Sequence, residues 1–138
     1  MNHVDLEIIT PQKAAYKGQV LAVTVPGTLG SFQILFNHAP LISTMEIGII
    51  KIKSSEAKTE YYSTSGGTVE VLDNKILILA DSLEFAEEID IERAKRAMQR
   101  ARERLENKSE KIDTARAEAA LARAVNRLQV AEKYFTRA

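Results

Sequence analysis

The chain has 138 residues, with 19 basic and 19 acidic side chains, and 45% of its residues are hydrophobic. This size and composition indicate one ordinary globular domain or two small ones. Because Cys is absent, zinc fingers, iron–sulfur clusters and thiol catalysis are excluded. The longest apolar run, 76–80, is too short to cross a bilayer, and we expect no signal peptide because Asp5 and Glu7 interrupt the N-terminus.

The zero net charge is the sum of two unlike regions. Residues 1–89 carry six Lys and eleven acids, a net charge of −5, whereas residues 90–138 carry thirteen basic and eight acidic residues, a net charge of +5. All nine Arg lie at or after Arg93, while every Gly lies at or before Gly67 and every Pro at or before Pro40. This segregation of turn formers from helix formers predicts two architectures with a boundary near 88–90.

Short alternating segments dominate the first eighty residues and predict an antiparallel β-sandwich with a Val, Ile and Leu interior. The predicted strands are 4–8, 20–25, 32–36, 47–53, 61–65, 68–72 and 75–79. Within 47–53, Ile50 and Ile52 share one face and alternate with lysines on the other. The dipeptides 66–67 and 73–74 are predicted turns, since Gly, Asp and Asn tolerate positive φ.

The region from Asp90 onward contains no Gly or Pro and is rich in the helix formers Ala, Arg, Glu and Leu. Its two apolar stripes are Ile91, Ala94, Met98, Ala101 and Leu105, then Ala117, Leu121, Ala124, Leu128 and Ala131. Asp90 and Asp113 are predicted N-caps, and 107–111 is the predicted connection. The sequence therefore predicts a two-helix antiparallel hairpin, only marginally stable alone because its Ala-rich seam buries little area.

Arginines fall in rows on both predicted helices. The rows are Arg93, Arg96, Arg100 and Arg104, opposite the first apolar stripe, and Arg116, Arg123 and Arg127, beside the second. At 100° per residue, the first row falls within about 80°. Two interpretations stay open, namely a solvated face with exposed salt bridges, or a surface for a phosphate group, nucleic acid or acidic protein segment. Arg in place of Lys favours planar, bidentate recognition.

The residues that could support catalysis do not form a recognisable constellation. His3 and His38 are far apart in the sequence, and neither belongs to a spacing that would hold a metal or polarise a nucleophile. The segment 27–30 has two glycines but lacks the other residues of a dinucleotide loop or a P-loop. We therefore predict a non-catalytic protein with no metal site and no catalytic cofactor.

Several short motifs recur in the order and spacing of one known family. They are Thr10-Pro11, Val25-Pro26-Gly27-Thr28-Leu29-Gly30-Ser31-Phe32, His38-Ala39-Pro40-Leu41, Ser65-Gly66-Gly67, Glu70-Val71 and Ile89-Asp90-Ile91-Glu92-Arg93-Ala94-Lys95. With them the whole chain resembles the epsilon subunit of bacterial F-type ATP synthase, the counterpart of mitochondrial delta. The resemblance implies an α+β fold, a ten-stranded β-sandwich domain over 1–88 followed by a two-helix hairpin over 89–138. Gln33 and Phe36 depart from the family, which has Gly and Pro there.

The resemblance implies a non-catalytic rotor subunit that couples proton flow to ATP synthesis. The β domain would dock on the gamma subunit and the ring of c subunits, and Ser31, Asn37 and His38 are the predicted contacts. The protein would lie at the cytoplasmic face of the bacterial plasma membrane, associated with it only through the complex and soluble when isolated.

The helices would either fold against the sandwich or extend into the catalytic head of alpha and beta subunits. In the extended state the resemblance implies inhibition of ATP hydrolysis. Arg96, Arg102 and Arg104 are the predicted contacts with an acidic loop of a beta subunit.

The resemblance also implies that ATP binds the folded hairpin as a regulatory ligand and favours the non-inhibitory state. The matching residues are Glu84, Ile89, Asp90, Arg93, Ala94, Arg100, Arg123 and Arg127. Arginines from two helices can converge on a triphosphate, and the acids suit the adenine amino group or ribose hydroxyls. Asp90 has a competing role as N-cap, and whether magnesium is required is left open.

A different class of function stays open as the alternative, an Arg-rich helical adapter that binds nucleic acid. Such an adapter would use a basic stripe and stacking aromatics, but the helical region carries only Tyr134 and Phe135, and eight acids are interspersed with its bases. A cupin-like enzyme is disfavoured because two His cannot supply a multi-histidine metal site. We therefore predict no nucleic-acid partner.

Overall fold

The computed structural model describes residues 2–107 and 114–134. The chain divides into two compact units, Met1–Phe85 and Ala86–Ala138. The first unit holds the strands and the second holds the helices. The predicted class, a ten-stranded sheet followed by two helices, is confirmed.

The first unit is one curled sheet of ten strands. They are β1 Val4–Ile9, β2 Ala14–Val20, β3 Ala22–Gly27, β4 Gly30–Leu35, β5 Leu41–Met45, β6 Gly48–Ser55, β7 Lys58–Thr64, β8 Gly67–Leu72, β9 Lys75–Ala80 and β10 Glu84–Phe85. Their order is β10-β7-β6-β3-β5-β8-β9-β1-β2, with β4 paired to β3. Strand β1 runs parallel to β9, whereas the other pairs of described strands are antiparallel.

The core of this unit is built from the inward face of the strands. Its largest fully buried side chains are Leu6, Ile8, Ile34, Ile50, Ile52, Ile76 and Ile78. Because side chains alternate along a strand, the lysines beside Ile50 and Ile52 point away from the core, as the sequence predicted. The predicted turn at 73–74 is confirmed, with positive φ at both residues. The predicted turn at 66–67 is wrong: both glycines have positive φ, but Gly67 already begins β8, where it pairs with Ala80 of β9.

One predicted strand, 20–25, is wrong because it joins two separate strands. The chain bends at Leu21, whose N–H donates to the Lys53 carbonyl at 2.8 Å, so Val20 ends β2 and β3 begins at Ala22. Strands β2, β5 and β10 were not predicted. In β2 the side chains before Val20 are exposed or half-buried, so this strand carries no strong apolar alternation.

The second unit contains a short 3-10 turn, Ala86–Glu88, and the helices α1 Ile91–Glu106 and α2 Thr114–Tyr134. Asp90 is confirmed as the N-cap of α1, because its Oδ1 accepts the Arg93 N–H at 3.0 Å. The helices pack against each other, and the short connection makes them antiparallel. The predicted N-cap Asp113 and residues 108–111 of the predicted connection lie outside the described residues.

The seam between the helices is built mainly from small side chains. Its buried alanines are Ala94, Ala101, Ala117, Ala124 and Ala131. In the ranges 2–107 and 114–134, no helix combines the length and the apolar character needed to cross a membrane.

Candidate functional site

Four arginines line one groove on the helical hairpin. Arg100 and Arg104 come from α1, and Arg123 and Arg127 come from α2. The groove has a volume of about 370 Å³, and its remaining lining residues are Ala97, Ala101, Ala120 and Ala124. Within each helix the two arginines are spaced i, i+4, so they lie one turn apart on the same face. The alanines leave room for a ligand to approach between four long cationic side chains.

The groove places four positive charges on a helical hairpin that is held together mainly by small side chains. An i, i+4 pair of like charges destabilises a helix by about 0.2–0.5 kcal/mol, and the groove contains one such pair on each helix. Of the described residues that line the groove, none is acidic. Two α1 carboxylates have partners on their own helix, since Glu92 faces Lys95 at 3.9 Å and Glu103 accepts from Gln99 at 3.2 Å. The arrangement therefore favours an anion as the groove's occupant.

Three residues that the resemblance assigns to ATP meet in this groove, namely Arg100, Arg123 and Arg127. Arg104, which was predicted to contact the beta subunit, lines the same groove. Arg93 lies two turns N-terminal to Arg100 on the same helical face, about 10 Å along the axis, and is outside the groove lining. The sequence placed the α1 arginines on one face but did not show that two of them reach the α2 arginines.

The other predicted ATP ligands have different surroundings. Asp90 is exposed and uses Oδ1 as the helix cap. Ile89 and Ala94 are 5% and 0% exposed, so their side chains offer a ligand little surface. Glu84 belongs to β10 in the first unit, where it is paired with Ser63 of β7. The roles of these four residues in nucleotide binding stay predictions.

Arg96 and Arg102, the remaining predicted contacts with the beta subunit, are exposed on α1 and do not line the groove. Both side chains are therefore open to a partner in the described hairpin. Arg102 is two residues from Arg100 and two from Arg104, yet it lies on another side of the helix. This makes Arg102 a matched comparison for the groove arginines.

The predicted docking residues occupy opposite ends of β4. Ser31 is exposed near the start of the strand, beside the turn at 28–29, whereas Asn37 and His38 follow its end. Four strand steps from Ser31 to Leu35 span about 13 Å. The structure therefore brings Asn37 and His38 together but separates Ser31 from them.

The turn after β4 has a defined geometry. His38 donates its backbone N–H to the Leu35 carbonyl at 3.2 Å, and Asn37 has a φ of 58°. The His38 ring places Nδ1 2.7 Å from the Ala39 carbonyl oxygen. Phe36, one of the two departures from the family pattern, is 41% exposed in this turn, and Asn37 supplies the positive φ.

Two exposed apolar side chains on the sandwich were not identified from the sequence. Leu29 is fully exposed at the tip between β3 and β4, and Ile42 is 78% exposed on β5. A leucine inside the Gly-Thr-Leu-Gly segment was the available signal for Leu29, because turn tips are usually polar. Ile42 gave no comparable signal, since its exposure depends on which face of β5 turns outward.

The Tyr16 phenol on the sandwich has a perturbed pKa. Burial raises the pKa of the Tyr16 phenol above its usual value, and the negative charge of Glu60 adds to the effect. Tyr16 also contacts the Tyr62 ring edge-on, with ring centroids 6.5 Å apart. Over residues 2–107 and 114–134, no group of three or more His, Asp or Glu side chains could hold a metal ion.

Comparisons with known proteins match both units. Residues 3–86 match the family model "ATP synthase, Delta/Epsilon chain, beta-sandwich domain", and residues 87–132 match "ATP synthase, Delta/Epsilon chain, long alpha-helix domain". An ATP synthase epsilon chain of Salinibacter ruber is 46% identical over 139 aligned positions, which cover 94% of this chain and 93% of that one. An epsilon chain of Syntrophomonas wolfei is 41% identical over 128, covering 93% of each.

A solved structure also shares the fold. A chain in the cryo-EM structure of the Euglena gracilis mitochondrial ATP synthase, described as OSCP/F1/c-ring, superposes with a TM-score of 0.78 at 23% identity. The match covers 88% of this chain and 77% of that one. The two family models together span nearly all of the sequence, and the relatives match it at close to full length. The chain therefore belongs to the delta/epsilon family of ATP synthase chains, the small non-catalytic subunits of that complex.

Proposed function

We propose that this epsilon-type central-stalk subunit couples proton flow to ATP synthesis, and that its helical hairpin binds ATP as a regulatory ligand. ATP would favour the folded hairpin, and the extended hairpin would inhibit ATP hydrolysis. The observation that carries the regulatory part is the groove in which Arg100, Arg104, Arg123 and Arg127 meet. Family membership supports the rotor role and disfavours the nucleic-acid adapter.

The chemistry of the groove suits a triphosphate. A guanidinium group donates two parallel N–H bonds to phosphate oxygens and stays charged at any physiological pH. Two arginines on each helix can therefore contact one polyanion from both sides, and this would offset their mutual repulsion. The ligand would link α1 to α2 across a seam that buries mainly small side chains. Binding would consequently stabilise the folded hairpin.

Magnesium would enter this groove with the nucleotide. The lining offers guanidinium and methyl groups, whereas Mg²⁺ prefers oxygen ligands such as carboxylates and phosphates. We therefore expect any bound magnesium to be held by phosphate oxygens and water. ATP should bind without added magnesium, although the metal would reduce the charge available to the arginines.

Arg104 connects nucleotide binding with inhibition in this proposal. It lines the groove of the hairpin, and it also belongs to the set assigned to the acidic loop of a beta subunit. A guanidinium group that is engaged by phosphate is not available to that loop. The two states would therefore compete for Arg104, while Arg96 and Arg102 stay exposed in the described hairpin.

The sandwich would dock on the gamma subunit and the c-ring. The separation of Ser31 from Asn37 and His38 would allow contacts at two ends of the unit, and fully exposed Leu29 would add apolar area beside Ser31. We propose that the protein sits at the cytoplasmic face of the bacterial plasma membrane, held there through the complex.

Calorimetry on the full-length chain tests nucleotide binding. Arg100→Ala and Arg123→Ala should each weaken ATP binding roughly ten- to hundredfold, because each removes a charge-assisted hydrogen bond worth about 1.5–3 kcal/mol. Arg102→Ala removes the same charge from the same helix outside the groove and is the matched control. Equal losses from Arg100→Ala and Arg102→Ala would show a general charge effect and contradict the groove.

The coupling and inhibitory roles need the assembled complex. The full-length chain should co-purify with the gamma subunit, and a chain truncated after Glu88 should retain the sandwich and this association. The truncated chain should raise ATP hydrolysis by the reconstituted complex, since it lacks the helices. An unchanged hydrolysis rate would reject the inhibitory role and leave the docking role to be judged by co-purification.

A further inference from the structure

The side chain of Asn74 joins segments that are far apart in the sequence. Its Oδ1 accepts the Asn37 backbone N–H at 2.9 Å, and its Nδ2 donates to the His3 carbonyl at 2.9 Å. The Asn74 carbonyl also accepts the Asp5 N–H at 3.2 Å. Asn74 therefore ties the turn after β4 and the start of β1 to the β8–β9 turn.

The bridge requires an amide of this length. Asn offers a donor and an acceptor on one short side chain, whereas Asp lacks the donor and Gly lacks both. The two contacts also define the amide orientation, because the reversed orientation would set the NH₂ group against the Asn37 N–H.

The β8–β9 turn alone does not require that amide. Both of its central residues have positive φ, 51° at Asp73 and 59° at Asn74, and Gly would satisfy this backbone at either position. The turn therefore requires only that residue 74 tolerate positive φ. The bridge to Asn37 and His3 is what requires an amide side chain there.

The segment held by this bridge precedes His38 directly. The bonded N–H belongs to Asn37, which has its own positive φ of 58°. Phe36 in the same turn lacks the fixed φ that a proline would impose. The hydrogen bond to Asn74 thus restricts a turn whose own residues would otherwise allow it more backbone conformations.

We propose that Asn74 is a positioning residue for docking. It holds the turn after β4, with Asn37 and His38, in the conformation that the gamma subunit or the c-ring binds. The proposal rests on the docking role proposed above for this turn. Asn74 would act through Asn37, so its replacement would weaken docking by loosening the turn before contact. The effect of Asn74 on the turn can be measured on the isolated chain without any partner.

The experiment compares Asn74→Gly with Asp73→Gly in the full-length chain. Both variants delete a polar side chain at positive φ in the same turn, but only Asn74→Gly removes the bridge. Amide hydrogen exchange followed by NMR should show the Asn37 N–H exchanging about fivefold to tenfold faster in Asn74→Gly, the effect of one lost hydrogen bond. Asp73→Gly should stay within about twofold of the wild type.

A second variant separates the two contacts of the amide. Asn74→Asp keeps an oxygen that can accept the Asn37 N–H but turns a carboxylate oxygen toward the His3 carbonyl. The Asn37 amide should therefore stay better protected in Asn74→Asp than in Asn74→Gly. Equal exchange in these two variants would overturn the assignment of the Asn37 contact to Oδ1.

Docking is measured as the affinity of each chain for the isolated gamma subunit and for the c-ring, with His38→Ala as the reference. Asn74→Gly should weaken one of these affinities about threefold to tenfold, and Asp73→Gly should not. Unchanged exchange at Asn37 in Asn74→Gly would overturn the proposal. So would unchanged docking by Asn74→Gly where His38→Ala weakens it. If Asn74→Gly and His38→Ala both dock normally while the Asn37 amide exchanges faster in Asn74→Gly, the turn has no docking role. The positioning role of Asn74 is then wrong as well.

Discussion

The sandwich and the hairpin bury very different side chains. The sandwich core contains six isoleucines that are almost completely inaccessible to solvent, whereas five of the buried positions of the described helices are alanines. Full burial of an Ile contributes about 1.5–3 kcal/mol, and an Ala side chain contributes much less because it has so little area. The free energy of folding is therefore concentrated in the sandwich, and the hairpin is the unit that a ligand or partner can most easily rearrange.

Charge follows the same division. The region before Asp90 is acidic, and the region from Asp90 onward is basic with all nine arginines. Four of these arginines line the groove, as one i, i+4 pair on each helix, and like charges at that spacing disfavour a helix. The β unit should therefore resist perturbation, and the helical unit should respond to a bound anion.

The largest effect is expected in the sandwich core. Ile78→Ala should lower the free energy of unfolding by about 2–5 kcal/mol, because Ile78 is 0% exposed and its loss leaves a cavity. Chemical denaturation followed by tyrosine fluorescence measures it, since three of the four tyrosines, 16, 61 and 62, lie in this unit. Leu79→Ala, at a neighbouring residue that is 48% exposed, is the control. A similar loss in both variants would contradict the assigned core.

Nucleotide should stabilise the hairpin selectively. At an ATP concentration of 100 times Kd, the folded hairpin should gain about 2.7 kcal/mol against opening, by mass action alone. Amide hydrogen exchange should show this gain in α1 and α2 and little change in the strands. Arg100→Ala should reduce the gain to about 0.4–1.4 kcal/mol at the same ATP concentration, whereas Arg102→Ala should keep it. Equal protection of strands and helices would mean that the hairpin is not the binding unit.

The Asp90 cap should contribute a smaller amount. Asp90→Ala should destabilise α1 by about 1 kcal/mol, because the Arg93 N–H loses its acceptor. Asp90→Asn should retain most of the helicity, since Asn is an equally good N-cap. Circular dichroism of both variants separates the cap from the predicted nucleotide contact. If Asp90→Asn keeps the helix but loses ATP affinity, Asp90 has both roles.

The smallest effect is expected from Tyr16. Its pKa is raised in the folded chain by burial and by Glu60, above the value of 10.0 that applies to the unfolded chain. The folded state therefore holds the phenolic proton more tightly, and stability should fall as the pH rises above about 10. Tyr16→Phe should show a shallower decline of the free energy of unfolding between about pH 9 and 11. Parallel declines in the two proteins would contradict a raised pKa.

Features that depend on a few consecutive residues could be predicted from the sequence, whereas features that depend on distant contacts could not. The strands at 47–53 and 68–79 and both helices were predicted because apolar periodicity and turn residues act over a few positions. The separate strand β2 was missed because its side chains are largely accessible and give no strong alternation. The bend at Leu21, where its N–H donates to the Lys53 carbonyl, was also missed. Leu21 is apolar like its neighbours, so no turn residue in the sequence indicates a break between Val20 and Val25.

The candidate site shows the same limit. Helical periodicity placed Arg93, Arg96, Arg100 and Arg104 on one face of α1, but it could not decide which of them reach α2. In the structure Arg100 and Arg104 line the groove with Arg123 and Arg127, and Arg93 does not. Whether arginines from two helices share a groove depends on the register of packing, to which every seam residue contributes.

The sequence by itself determined the two-unit organisation, the class of each unit, the Asp90 cap and the family, because composition, periodicity and short motifs are written in consecutive residues. Only the tertiary structure decided the parallel pairing of β1 with β9, the four-arginine groove and the bridge from Asn74 to Asn37 and His3. Each of these joins residues distant in the chain, and their meeting is fixed by the packing of the whole unit and not by any local preference.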